Sequence, residues 1–100
     1  MTIRRQDVIA KLRRESRELA QTYGVKSLAL FGSVARDEAT KKSDVDLLIE
    51  FDRPIDLFHF FRVQHRIEDL LGVRRVDLLM PDAIRPAFRQ RILREKISIG

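Results

Sequence analysis

The feature that most constrains this chain is a pair of aspartates at the start of an apolar strand. Residues 44–51 read DVDLLIEF, with one residue between Asp44 and Asp46. Side chains alternate between the faces of a strand, so the two carboxylates share one face, while Val45 and Leu47 occupy the other. Two negative charges about 4 Å apart repel by roughly 4 kcal/mol at an effective dielectric constant near 20. A divalent cation removes that cost, which favours a metal site.

A second part of the pattern lies upstream of the aspartates. An apolar run at residues 28–31 ends in Gly32 and Ser33, after which residues 34–39 can form a short helix. Gly32 permits a tight turn, and the exposed N–H groups at the start of a helix can hold phosphate. Ser33 alone is more readily a helix N-cap, but the aspartate pair that follows favours a phosphate-binding role. Arg36 could contact a phosphate or pair with Asp37 or Glu38, and both interpretations stay open.

A third carboxylate is predicted to join the pair. Residues 56–71 predict a helix and residues 75–80 a third strand. A helix of this length suits a right-handed crossover, which makes the second and third strands parallel neighbours. Asp77 then lies beside the first two aspartates, in the arrangement that two magnesium ions need. The alternative for Asp77, an ion pair with Arg74 or Arg75 at the strand end, stays open.

The rest of the sequence predicts a small α/β domain that spans residues 1–100, with the element order αβαβαβα and helices packed on a mixed sheet of three to four strands. An apolar stripe predicts a first helix over residues 1–23, and residues 25–31 predict the first strand. Residues 82–96 predict a last helix that Pro86 either splits or starts. The alternation of residues 97–99 is typical of a short edge strand.

Polar residues near the pattern are expected to have more ordinary roles. Lys41 and Lys42 are expected in a solvated turn, with phosphate contact as the alternative. Ser43 is expected to bond backbone groups near the carboxylates. His59 and His65 are six residues apart on one predicted helix and therefore on different faces. We assign both histidines to the surface or to helix packing.

The composition excludes several classes of protein. There is no cysteine, and therefore no disulfide framework, thiolate metal site or thiol nucleophile. Neither a signal peptide nor an apolar run near the ~20 residues of a membrane span is present, so we expect a cytoplasmic protein. The net charge of +5 suits an acidic partner protein or phosphates as readily as nucleic acid. Specific nucleic-acid binding is not expected, because no known nucleic-acid motif is present.

The segment GSVAR, followed by SDVDLLIEF, resembles the signature of the nucleotidyltransferase superfamily related to DNA polymerase β. Its compact form is most similar to the minimal nucleotidyltransferases (MNT), small prokaryotic proteins usually paired with a HEPN-domain toxin. The resemblance covers nearly the whole chain and implies the DNA polymerase β-like fold. Where that family most often has a small residue or glycine after GSxAR, this sequence has Asp37. We expect this difference to alter the turn and not the chemistry.

The resemblance also implies an activity. This is magnesium-dependent transfer of AMP from ATP to a hydroxyl, on a tyrosine of a cognate HEPN toxin, by a protein that acts as antitoxin. Two magnesium ions are implied, and Asp77 would complete the metal site nearest the acceptor and help to deprotonate its hydroxyl. The implied site residues are Gly32, Ser33, Arg36 and Ser43 for the nucleotide, and Asp44, Asp46 and Asp77 for the metal ions and catalysis.

Two other classes of function stay open. One is a catalytically silent antitoxin that neutralises its toxin by binding alone, for which loss of an acid or of the Gly-Ser step would be expected. All of these residues are present here. The other is a basic nucleic-acid-binding adaptor, which would show salt-dependent binding that survives loss of the acids. A homo- or hetero-oligomer is compatible with each of the three.

Overall fold

The computed structural model of the protein describes residues 3–40 and 42–99, so Lys41 and the predicted helical residues Met1 and Thr2 lie outside it. The elements are, in chain order, α1 (Arg5–Arg14), α2 (Ser16–Tyr23), β1 (Val25–Phe31), α3 (Gly32–Ala35), β2 (Val45–Phe51), α4 (Leu57–Leu71), β3 (Val76–Leu79), a 3-10 turn (Pro81–Ala83), α5 (Pro86–Glu95) and β4 (Ile97–Ile99).

The four strands form one mixed sheet in the order β3-β2-β1-β4. β1 pairs antiparallel with β2 and with β4, whereas β2 and β3 run parallel. The parallel pair confirms that the second and third strands are neighbours joined by a helical crossover, α4. The predicted short edge strand is also confirmed, because β4 pairs with the outer side of β1 through Leu28↔Ile99 and Leu30↔Ile97.

The two faces of the sheet are covered unequally. One face forms the main core together with α1, α2 and α4. The buried residues of that core are Val8, Leu12, Leu19, Leu28, Leu30, Val34, Ala35, Val45, Leu47, Ile49, Val63, Ile67, Leu71 and Val76. On the other face the buried cluster among residues 3–40 and 42–99 is Ala29, Leu48 and Ile84, and α5 contributes no buried residue. Asp46 alternates with the core residues of β2 and therefore lies on this thinly covered face.

The predicted single helix over residues 1–23 is wrong, because the chain breaks at Glu15 into α1 and α2. Glu15 has φ −99° and ψ 10°, outside the helical conformation. Next to it, Ser16 Oγ donates to the carbonyl oxygen of Arg13 at 2.9 Å. Such local side-chain bonds compete with the regular helical bonds of the backbone. The predicted stop at Gly24 is confirmed, with φ 72°.

Four further elements have bounds that differ from the prediction. α3 begins at Gly32 and is over before Asp37, whose φ of 59° is incompatible with a continuing helix. The predicted strands 44–51 and 75–80 are each shorter, so that Asp44 immediately precedes β2. The predicted helix 82–96 is divided into the 3-10 turn and α5, with Pro86 in the first turn of α5, where a missing N–H is tolerated.

α4 is the longest helix, at 15 residues, and both of its ends agree with the sequence. Asp56 caps its start by accepting a hydrogen bond from the backbone N–H of His59 at 2.8 Å. Gly72 ends it with φ 65°. No helix within the described ranges has both the length and the apolar character needed to cross a membrane.

Candidate active site

Three segments of the chain meet near the start of β2. Phe31, the last residue of β1, is the register partner of Asp46, and Asp46 is in turn the partner of Asp77 in β3. Residues directly opposite on adjacent strands project from the same face of the sheet. Asp46 and Asp77 are therefore side by side, and Gly32, which follows Phe31, adjoins them. The fold thus brings three of the predicted site residues together.

Gly32 lies directly against the carboxylate of Asp46. Its φ is 78°, and a Cβ built on it would overlap Oδ2 of Asp46 and lie 3.0 Å from Cγ. Any other residue would therefore be strained in its backbone and would also collide with the aspartate. Glycine at this position lets the chain turn from β1 into α3 while its backbone touches the carboxylate.

Ser33 lies in the first turn of α3, and the N-cap position belongs to Phe31. The interpretation of Ser33 as an N-cap is therefore wrong. Its backbone carbonyl accepts a hydrogen bond from the N–H of Glu38 at 2.9 Å, which closes the turn after α3. α3 begins at Gly32, the residue that contacts Asp46, and the first N–H groups of a helix have no partner within it.

The carboxyl group of Asp46 is in an unfavourable electrostatic position. Its pKa is raised from an ordinary value of 3.8 to about 6, first by burial and then by the negative charge of Asp77 and a hydrogen bond with it. Asp44 adds a smaller repulsion, whereas the positive charge of Arg36 lowers the pKa. Near neutral pH the folded protein therefore holds an incompletely compensated negative charge, which a bound cation would neutralise.

Arg75 lies between the other two aspartates. Its Nε is 3.4 Å from Oδ1 of Asp77 and 3.9 Å from Oδ2 of Asp44. The ion pair that the sequence left open for Asp77 is therefore present. Within residues 3–40 and 42–99, no three acidic, histidine or cysteine side chains are arranged as a ready-made metal cage. Asp46 and Asp77 are adjacent, and Asp44 is connected to Asp77 through Arg75.

Arg36 is engaged by two glutamates. Its Nε is 3.1 Å from Oε2 of Glu38, and its Nη1 is 3.1 Å from Oε2 of Glu95. The pairing that the sequence left open for Arg36 is therefore present, with Glu38 as the near partner. Asp37 instead lies 3.9 Å from Nη2 of Arg5. The pair with Glu95 connects the end of α3 to the end of α5.

Ser43 closes the loop in front of Asp44. Its N–H donates to the carbonyl oxygen of Thr40 at 3.1 Å, and its Oγ accepts from the N–H of Thr40 at 2.9 Å. The predicted bonding of Ser43 to the backbone near the carboxylates is thus confirmed. A direct contact between Ser43 and a nucleotide stays a prediction.

A cavity of about 670 Å³ adjoins Asp44. Among its lining residues are three cations, Lys42, Arg74 and Arg75. For Lys42 the sequence favours a solvated turn, with phosphate contact as the alternative, and for both arginines it indicates only ion pairs with Asp77. The sequence feature that could have indicated this cavity is the position of the three cations, shortly before the second and third strands, which carry the acids. A cavity that carries three cations beside the single carboxylate of Asp44 offers room and opposite charge to a phosphate group.

Known proteins are similar in sequence to this chain over most of its length. The family model for "Nucleotidyltransferase domain" matches residues 9–99. The chain is 41% identical over 86 residues to a Methanocaldococcus jannaschii protein provisionally named protein adenylyltransferase MJ0128, with 86% of this chain and 87% of that protein covered. It is 33% identical over 94 residues to protein adenylyltransferase MntA of Thermococcus cleftensis, with 94% of each covered.

Solved structures share the fold as well. A structure provisionally assigned as a minimal nucleotidyltransferase has a TM-score of 0.78 and 36% identity, with 95% of each chain covered. A toxin–antitoxin crystal structure with AMP-PNP has a TM-score of 0.66 and covers 98% of this chain and 73% of its own. Its identity is 16%, so this second likeness is one of fold alone. The predicted fold is confirmed by the first match.

We expect Gly32→Ala to destabilise the protein more than Gly72→Ala. Both glycines have positive φ, but a Cβ at Gly72 would meet nothing within 4 Å, whereas one at Gly32 would overlap Asp46. Gly72→Ala should cost about 1 kcal/mol for backbone strain, and Gly32→Ala at least about 1 kcal/mol more for the collision. Urea denaturation measures both. In an Asp46→Ala background most of the excess should disappear, and an unchanged excess would contradict the proposed contact.

Asp46→Asn should stabilise the protein at pH 7.5 in metal-free buffer. The pKa of Asp46 is about 6 in the folded protein and has its ordinary value of 3.8 in the unfolded chain. The folded state therefore binds this proton more tightly, which adds to the free energy of unfolding fully below pH 3.8 and is lost as the pH rises through about 6. The neutral amide avoids this loss. We expect a gain of about 1–2 kcal/mol at pH 7.5, discounted for solvent screening of a half-buried group.

The gain should become small at pH 4, where Asp46 is itself protonated. Denaturant titrations at the two pH values measure the difference, with Asp69→Asn on the exposed side of α4 as control. A gain of equal size at pH 4 and pH 7.5 would show that ionisation of Asp46 is not its cause.

Proposed function

This chain belongs to the nucleotidyltransferase domain family and, within it, to the minimal nucleotidyltransferases, and from this premise we propose that it transfers AMP from ATP to a hydroxyl of a partner toxin. It is thus an enzyme, a nucleotidyltransferase. The observation that carries the specific proposal is the contact of the Gly32 turn with Asp46, next to Asp77. This contact joins the turn that we propose to bind phosphate to the Asp46–Asp77 pair.

The relatives support the donor, the acceptor class and the partner. The Thermococcus cleftensis relative is named a protein adenylyltransferase, which supports AMP as the transferred group and a protein as the acceptor. The structure with AMP-PNP, an ATP analogue, is of a toxin–antitoxin complex and supports an antitoxin role for this fold. The HEPN class of the toxin and a tyrosine as the accepting residue follow from the family resemblance and are part of the proposal.

Magnesium fits the residues that the structure brings together. Asp46 carries uncompensated negative charge beside Asp77, and carboxylate oxygens are the ligands that magnesium prefers in proteins. Asp46 and Asp77 would hold the two ions. Asp44 would join them as a third ligand after its ion pair with Arg75 breaks. When bound, magnesium would neutralise the triphosphate and stabilise the departing pyrophosphate.

The chain's own groups account for the other requirements of the reaction. The N–H groups at Gly32 and Ser33 would hold the triphosphate, as helix starts commonly do. Asp77 would accept the proton of the attacking hydroxyl. The hydroxyl oxygen would then bond to the α-phosphorus of ATP while the bond from that phosphorus to the pyrophosphate oxygen breaks. Arg36 would contribute positive charge to the nucleotide site. Ser43 would fix the loop that presents Asp44.

The proposal predicts a covalent AMP on the partner. The protein encoded next to this one would be incubated with wild-type enzyme, ATP and magnesium, and then examined by intact-mass spectrometry. We expect one or more adenylyl increments with wild type and none with Asp46→Asn, because the variant cannot complete the metal site. Asp69→Asn, which removes a remote carboxylate, should keep the activity. A tight complex without any increment in wild type would overturn the enzymatic proposal and indicate an antitoxin that acts by occlusion.

Arg75 is expected to compete with metal ions for Asp44 and Asp77. Arg75→Gln removes a cation from these two carboxylates and should therefore bind Mn²⁺, used as a stand-in for Mg²⁺, several-fold more tightly than wild type. Electron paramagnetic resonance titration measures free Mn²⁺ directly. Arg74→Gln is the matched control, because it removes a neighbouring charge without breaking either ion pair. Equal affinities in wild type and Arg75→Gln would rule out this competition.

A further inference from the structure

β3 is a four-residue strand at the edge of the sheet, and it carries Asp77. Within the described chain it is paired on one side only, with β2. In a parallel pair, successive residues direct their N–H and C=O groups alternately toward the neighbour and away from it. An edge strand of this kind has backbone groups that need other partners, and a short one is weakly held in place.

The outward backbone groups of Val76 find both of their partners on α4. Nε2 of Gln64 donates to the carbonyl oxygen of Val76 at 2.7 Å, and Oε2 of Glu68 accepts from its N–H at 2.9 Å. The side chain of Glu68 is only 15% exposed, and Val76 is fully buried. The two hydrogen bonds are therefore largely shielded from water, and a hydrogen bond is stronger in such surroundings than in solvent.

The two α4 side chains act from a rigid base. Gln64 and Glu68 are four residues apart and so lie one above the other on the same face of the helix. The adjacent face is anchored in the main core by Val63 and Ile67, both fully buried. Together the two side chains satisfy the outward backbone N–H and C=O groups of Val76.

This arrangement matters for the site because Val76 immediately precedes Asp77. Asp77 is held beside Asp46, and the repulsion between two carboxylates tends to push β3 away from β2. We propose that Gln64 and Glu68 are positioning residues, which fix the backbone of Val76 from α4 and so keep Asp77 in register with Asp46. The catalytic part of this inference rests on the proposed function, whereas the backbone part does not.

The test combines backbone dynamics with kinetics. In Gln64→Ala and Glu68→Ala, amide hydrogen exchange across Val76–Leu79 should accelerate by about tenfold or more, because the outer side of β3 has lost a partner. The kcat of adenylyl transfer should fall by about tenfold while the KM for ATP changes less than about twofold, since the Gly32 turn is untouched. Glu68→Gln should restore both readouts, because its amide oxygen can accept the same hydrogen bond.

Two controls separate positioning from general stability. Ile67→Ala weakens the core beneath α4 but leaves both hydrogen bonds to Val76, so at temperatures where each variant is fully folded it should keep its kcat. His65→Ala removes the other partner of Glu68, 3.2 Å away, without touching β3 and should behave like wild type. An equal fall in kcat for Ile67→Ala and Glu68→Ala would overturn the proposal.

The outcomes also distinguish this inference from the proposed function. Accelerated exchange in β3 with unchanged kcat would overturn the positioning role while leaving adenylyl transfer established. If wild type transfers no AMP, the proposed function fails, and hydrogen exchange alone decides whether α4 holds β3. Unchanged exchange in Glu68→Ala would overturn the inference in either case.

Discussion

The repulsion between Asp46 and Asp77 is the constraint on which the rest of the structure depends. These carboxylates are side by side on parallel strands, and burial together with mutual repulsion raises the pKa of Asp46 to about 6. The same strands offset this cost on their other face, where Val45 and Val76, the residues just before the two aspartates, are almost fully buried. Alternation along the two strands thus places the core and the site on opposite faces of the same segments, and a slip of either strand by one residue would disrupt both.

The unequal covering of the two faces of the sheet leaves the paired aspartates accessible to a substrate. One face carries the main core beneath α1, α2 and α4, whereas the described residues form a small cluster around Ile84 on the face of Asp46. A second thick layer of helices would bury the carboxylates further and leave no space for a substrate. The close approach of Gly32 adds the start of a helix to this open face. The fold therefore concentrates acids and backbone N–H groups where the protein is thinnest.

Features that depend on the local periodicity of apolar residues, such as the strands and their pairing, could be predicted from the sequence. Features that depend on the geometry of individual side chains could not. The parallel pairing of β2 and β3 was predictable, because a period of two marks the strands and a helix of crossover length joins them. The break between α1 and α2 was missed, because apolar spacing continues across it while the Ser16 hydroxyl bonds the backbone of Arg13. The position of Arg75 between two acids and the bonds from α4 to Val76 depend on rotamers and tertiary packing, which spacing alone does not specify.

The distribution of charge explains why such a site would need metal ions even in a protein of net charge +5. A triphosphate and a carboxylate pair are both anionic, so they can approach only with cations between them. The nearby cations of the chain itself stand at the rim: Arg36 is occupied by two glutamates, and Lys42 and Arg74 line the cavity beside Asp44. Arg75 touches Asp44 and Asp77, but it is a single charge on an exposed side chain. Divalent ions held by Asp46 and Asp77 would supply the remaining positive charge at the centre of the site, where no side chain of the described residues is placed to supply it.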